Sequence, residues 1–216
     1  LNTWLSSQTA AGLLFETDLR LRPNGDSGLI VCSLETFRKY QIESAWLWEH
    51  QALTRARFSA GDHTIGDAFE AIRNEILRQP RDLENLKREV VAMRQKMFDA
   101  HATKGAQAEV VFDLKHDCGG LVDVEFIVQY LVLGHAHAHP ELTGNLGNIA
   151  LLRIAGELGL IPAALAETVR NAYRDYRHLQ HRLRLNNARA RVAPDSVSAR
   201  VAAVCALWQI VFKEVR

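Results

Sequence analysis

Apolar and charged positions alternate strictly over Leu14 to Arg22. Phe15, Thr17, Leu19 and Leu21 fall on one side, and Glu16, Asp18, Arg20 and Arg22 on the other. A period of two predicts a strand with one apolar face and one charged face. The cluster Pro23-Asn24-Gly25-Asp26-Ser27-Gly28 predicts a turn, and Leu29 to Cys32 reads as a returning second strand. From Ser33 the period changes. Ser33 is an N-cap for a helix carrying Leu34, Phe37 and Gln41 on one side, and a second helix runs through Trp46, His50 and Leu53 to about Ser59. Further helices are predicted over 67–79, ending near Pro80, and over 82–101, where Leu83, Leu86, Val90, Met93 and Met97 form a stripe.

Residues 109–120 read as short and irregular. Gly119-Gly120 then opens an apolar helix from Leu121, expected in the core. Helices near 145–159 and after Pro162 follow. In the latter, Leu165, Val169, Ala172, Tyr176, Leu179 and Leu183 keep core-facing spacing. The last helix places Val197, Val201, Val204, Trp208 and Val211 on one face. The fold class is therefore α+β, a β-hairpin with helices over residues 1–60 and a helical bundle over 61–216.

Composition narrows the classes. With 48% hydrophobic and 24% charged residues the chain is globular, and a net charge of +1 gives no general attraction to nucleic acid. The apolar run Val122 to Leu133 is too short and too polar to span a bilayer, so no membrane partner is expected. Cys32, Cys118 and Cys205 form no CxxC, which fits a reducing, cytoplasmic setting and small buried residues. The chain begins without Met inside what reads as a helix end, so a piece of a longer chain is expected.

Chemistry concentrates in three places. Glu16 and Asp18 are neighbours on a strand face and repel unless a cation lies beside them; magnesium suits such oxygen ligands. Arg20 and Arg22 on the same face suit phosphate oxygens. The bland alternative is a solvated face with internal ion pairs. Trp46-Leu47-Trp48-Glu49-His50-Gln51, followed by Arg55 and Arg57, either stacks a base, docks a partner, or places one Trp in the core. Asp123 and Glu125 open the apolar helix. Glu125, sharing a face with Gln129, is expected to be partly buried and to need an arginine or lysine partner. His135, His137 and His139 read as a surface terminus. Arg170 to Arg191 holds seven arginines against one acid, Asp175: a solvated face, or a patch for an acidic partner or nucleotide.

Three stretches carry a family resemblance. Glu16-Thr17-Asp18-Leu19-Arg20-Leu21-Arg22-Pro23-Asn24-Gly25 is similar to the E-x-D-x-R-L-R-P-x-G stretch of glutamine synthetase adenylyltransferases. Glu43 to Leu53 with Arg55-Ala56-Arg57 resembles the family's E-A-W-x-W-E-H-Q-A-L-x-R-A-R stretch. Phe112 to Lys115 and Gly119 to Leu131 resemble F-D-I-K and G-G-x-x-D-I-E-F-x-x-Q-Y-L. The resemblance implies a truncated nucleotidyltransferase sheet over 1–60 followed by a helical bundle. It implies ATP as substrate, Mg²⁺ as cofactor, and glutamine synthetase and the PII signal protein as partners.

It further implies Asp18 as a catalytic metal ligand, with Glu16 beside it. Arg20, Arg22, Asp123 and Glu125 become candidates for the nucleotide side. The Trp-Glu-His-Gln version resembles the AMP-transferring half, with the AMP-removing half as the alternative. The family's first two metal carboxylates belong to a G-S…D-x-D motif that these 216 residues lack, so the chain alone is expected to be inactive.

Overall fold

The computed structural model describes residues 2–10, 12–13, 23–25, 28–144 and 146–213. The charged strand expected over 14–22, with Glu16, Asp18, Arg20 and Arg22, lies outside the described residues. At the N-terminus, α1 (Asn2–Leu5) precedes a two-residue antiparallel ladder of β1 (Gln8–Thr9) and β2 (Gly12–Leu13). Leu29, Ile30 and Val31, expected as a returning strand, join no ladder and are 80%, 68% and 80% exposed. Apolar side chains on both faces need cover on both sides, and none of the described elements supplies it.

Helices dominate thereafter. α2 (Leu34–Glu43) starts at Ser33, whose hydroxyl accepts from the Thr36 N–H at 3.1 Å, as the N-cap reading requires. α3 (Leu47–Leu53) stops six residues short of the predicted end. The buried Arg73 explains the stop. Its guanidinium donates to the carbonyls of Leu53 (3.1 Å) and Thr54 (2.9 Å), taking up the acceptors a longer helix would need. α4 (His63–Leu77) and α5 (Leu83–His101) begin at Asp62 and Asp82, each of which accepts from first-turn N–H groups.

The segment read as irregular contains a short helix, α6 (Gln107–Val110), and β3 (Phe112–Asp113). β3 pairs antiparallel with β4 (Arg191–Val192), joining Phe112 to Val192 and Asp113 to Arg191. Two-residue strands leave no readable period. α7 (Leu121–His135) begins where Gly119-Gly120 predicted, and every residue except Glu125 and His135 is buried. A helix apolar all round belongs inside, and α3, α5, α8 (Asn148–Glu157), α9 (Ala163–Leu185) and α10 (Ser198–Phe212) pack around it. The predicted stripe of α9 is the face that enters the core, with Val169 and Tyr176 fully buried. The cysteines depart from expectation: Cys32 and Cys118 are exposed and Cys205 is half-buried. No helix among the described residues is long and apolar enough to cross a membrane.

Candidate functional site

α3 is seven residues long, too short to persist alone, and polar side chains fix it from three directions. Glu49 is buried. It accepts from the Tyr40 hydroxyl at 3.0 Å and from the Trp46 N–H at 2.8 Å, which joins α2 to the start of α3. His50, also buried, lies 2.9 Å from the Gln41 carbonyl through Nε2 and 3.2 Å from Arg81 Nη2 through Nδ1. Arg81 can only donate, so Nδ1 accepts and Nε2–H donates: a neutral ring. Burial, and then the Arg81 charge, push its pKa down. Gln51 donates to Gln129 Oε1 of α7 at 3.0 Å.

One turn along, Arg55 meets Glu125 at 3.2 Å, and Glu125 also accepts from the Tyr173 hydroxyl at 3.3 Å. Gln51 and Arg55 therefore face Gln129 and Glu125, two i,i+4 pairs in register across a helix contact. The shared face of Glu125 and Gln129, and the basic partner of Glu125, are those the sequence predicts.

A cavity of about 300 Å³ opens on the other side of α3. Phe37 and Gln41 of α2, Glu49, Ala52 and Leu53 of α3, Phe69 of α4, Arg55, Ala56 and Pro23 line it. Pro23 belongs to the first family-like stretch and Glu49 to Ala56 to the second, so both stretches contribute to the cavity wall.

Asp123 lies elsewhere. It is buried, paired with the Arg94 guanidinium, and accepts from the Gly119 N–H at 2.6 Å. Burial pushes its carboxyl up, against Arg94 and Gly119, which hold it down. Arg94 also donates to the His116 carbonyl at 2.9 Å. This pair borders a second cavity of about 210 Å³ with Cys118, Cys205 and Trp208. Asp123 thus braces the loop that launches α7, and Glu125 touches the first cavity only through Arg55.

Both carboxylates are occupied by protein donors, and no cluster among the described residues could hold a metal ion. The magnesium expectation rests on Glu16 and Asp18 alone. The sequence reading missed Tyr40, Arg73, Arg81 and Arg94. Each sits in an ordinary helical or loop setting, and only the fold brings it to its partner.

Comparison with known proteins gives two matches of different description. Residues 1–72 match the family model of glutamate-ammonia ligase adenylyltransferase, and residues 88–204 match that of GlnD PII-uridylyltransferase. The chain is 71% identical over 212 residues to the bifunctional glutamine synthetase adenylyltransferase/adenylyl-removing enzyme of Aromatoleum aromaticum, covering 98% of this chain and 22% of that protein. The proteins of the same description from Nitrosomonas eutropha and Bordetella bronchiseptica are 55% and 54% identical. They cover 98% and 99% of this chain and 24% and 22% of their own lengths. The chain spans less than a quarter of the relatives it matches.

Proposed function

We propose, on the premise that this chain belongs to the family of bifunctional glutamine synthetase adenylyltransferase/adenylyl-removing enzymes, that it is part of the half that transfers AMP from ATP to a tyrosine of glutamine synthetase. In that reaction the tyrosine oxygen attacks the α-phosphorus, a new P–O bond forms, and pyrophosphate leaves. Catalysis of this kind is mostly positioning and charge neutralisation. Arg20 and Arg22, on the charged face that the alternation predicts, serve the phosphates, and Asp18, as the resemblance implies, serves the metal with Glu16 beside it.

The observation that carries the choice of half is the Trp-Glu-His-Gln segment. Glu49, His50 and Gln51 are all buried and each holds a different neighbour, and Glu49 also lines the cavity. The fold that goes with this reading is a nucleotidyltransferase sheet over the first sixty residues, with Leu29 to Cys32 as one of its strands. The setting is cytoplasmic.

The test uses the enzyme at the length of its relatives. Asp18→Asn is expected to abolish incorporation of labelled AMP into glutamine synthetase, and near wild-type transfer would refute the assignment. Phosphate-dependent release of ADP from modified glutamine synthetase by this half would instead identify the AMP-removing activity. The 216 residues contain no G-S…D-x-D motif, so the chain by itself is expected to transfer no AMP.

One observation favours an added docking role. Arg182, Arg184 and Arg189 are exposed and make no ion pair among the described residues, and no acid lies between Asp175 and Asp195. Such a patch suits an acidic face of glutamine synthetase or PII. Salt-sensitive co-precipitation of either protein with the chain is the expected result, lost when the three arginines are replaced.

A further inference from the structure

We infer that the 300 Å³ cavity between α2, α3 and α4 is the slot for the adenine ring of the nucleotide, and that Gln41 selects adenine there; this rests on the ATP reading above. The cavity is at the small end for ligand sites. It has room for a flat bicyclic ring but not for a whole nucleoside triphosphate. Its walls are apolar: Phe37, Leu53 and Phe69, with the two phenyl rings 5.7 Å apart and inclined at 41°. Aromatic and aliphatic walls suit the faces of a base.

Polar groups around it are few, and all but one are committed. Glu49 is taken by Tyr40 and Trp46, and Arg55 by Glu125. Gln41 is the exception. It is only 5% exposed, it lines the cavity, and its Oε1 has no hydrogen-bond partner. A buried amide oxygen left unpaired needs a donor. A ligand edge carrying a donor beside an acceptor completes it. Adenine presents that edge, N6–H beside N7, and the side-chain amide matches it with one acceptor and one donor. Rotating the amide leaves the match intact. Hypoxanthine puts an oxygen in place of the amino group and opposes acceptor to acceptor.

The family matches point to the same part of the chain. Every lining residue, Pro23 to Phe69, falls within the adenylyl-family match over 1–72. Residues 88–204 match a family named for uridylyl transfer, so a residue that chooses the base belongs before them.

The test is equilibrium dialysis of the full chain with ATP and with inosine triphosphate, paired with photolabelling by 2-azido-ATP. ATP is expected to bind about ten-fold more tightly than inosine triphosphate, the discrimination of one bidentate amide contact. The label is expected on 34–43, 47–56 or 63–77. Gln41→Met is expected to bring the ratio to about one by weakening ATP alone. Equal loss of both nucleotides would mark Gln41 as merely structural and overturn its role. Saturable ATP binding with the label elsewhere would overturn the slot and leave the ATP reading standing. No saturable binding would also overturn the slot, and the reading of the function would then be decided by the AMP-transfer assay.

Discussion

Arg94 and Arg55 both bind carboxylates at the start of α7, and burial decides what each is worth. The Arg94 and Asp123 side chains are 6% and 7% exposed, so removing one leaves an uncompensated charge in the interior. Arg94→Met is expected to cost roughly 3–5 kcal/mol in urea unfolding, with much of it recovered in Arg94→Met/Asp123→Leu. Arg55 is 51% exposed, and an ion pair in that setting is worth at most about 1 kcal/mol. Arg55→Ala is therefore expected to move the urea midpoint little. A large shift would show that Arg55 holds Glu125 of α7 by more than a solvent-screened ion pair. Sequence legibility splits along the same line. The need of Glu125 for a basic partner was readable from a carboxylate in an apolar helix. The partner of Asp123 was not, because Arg94 lies on a different helix in an unremarkable amphipathic stripe.

At the scale of elements, short pieces are held by side chains that cross between them. α3 depends on a neutral His50. Burial and Arg81 lower its pKa, so the unfolded chain takes up a proton at a pH where the folded chain does not. Stability linked to this ring is complete above its ordinary value near 6.5 and is lost as the pH falls below it. His116 and His135, also lowered by burial, act in the same direction. Urea midpoints are expected to fall from pH 7.5 to pH 5.5, and His50→Gln, which keeps a donor for the Gln41 carbonyl, should flatten that slope. Midpoints that rise on acidification would contradict the neutral ring.

The α7–α10 contact turns on Gly119. Its φ is +84°, and an added Cβ would stand 2.7 Å from Val201 Cγ1 and 3.0 Å from the Val201 carbonyl. Gly119→Ala is expected to cost about 1–2 kcal/mol from the left-handed backbone and about 1–3 kcal/mol more from overpacking. Helix starts at Ser33 and after Gly119-Gly120 were legible because capping and glycine signals are local. The early end of α3 and the β3–β4 ladder were not, because both are decided by residues far away in sequence.

At the scale of the whole molecule, α7 finds its cover within the chain and residues 29–31 do not. α7 is enclosed on all sides, whereas Leu29, Ile30 and Val31 stand in solvent with apolar groups on both faces. The hydrophobic run predicted a strand because its composition asks for one, but a strand of this kind forms only when neighbours cover it. The chain spans less than a quarter of the length of its relatives, so the cover is expected from the rest of such a protein. Cys32, exposed at the end of this run, reports on it directly, and Cys118, exposed beside α7, serves as an internal control. In the 216-residue chain Cys32 is expected to react with maleimide faster than Cys118, whose thiol burial and the Asp123 charge push up. In the protein at the length of its relatives, Cys32 is expected to be protected by at least ten-fold while Cys118 reacts as before. Equal reactivity of Cys32 in the two would show that residues 29–32 stay outside any sheet, and the nucleotidyltransferase fold proposed for the first sixty residues would lose one of its strands.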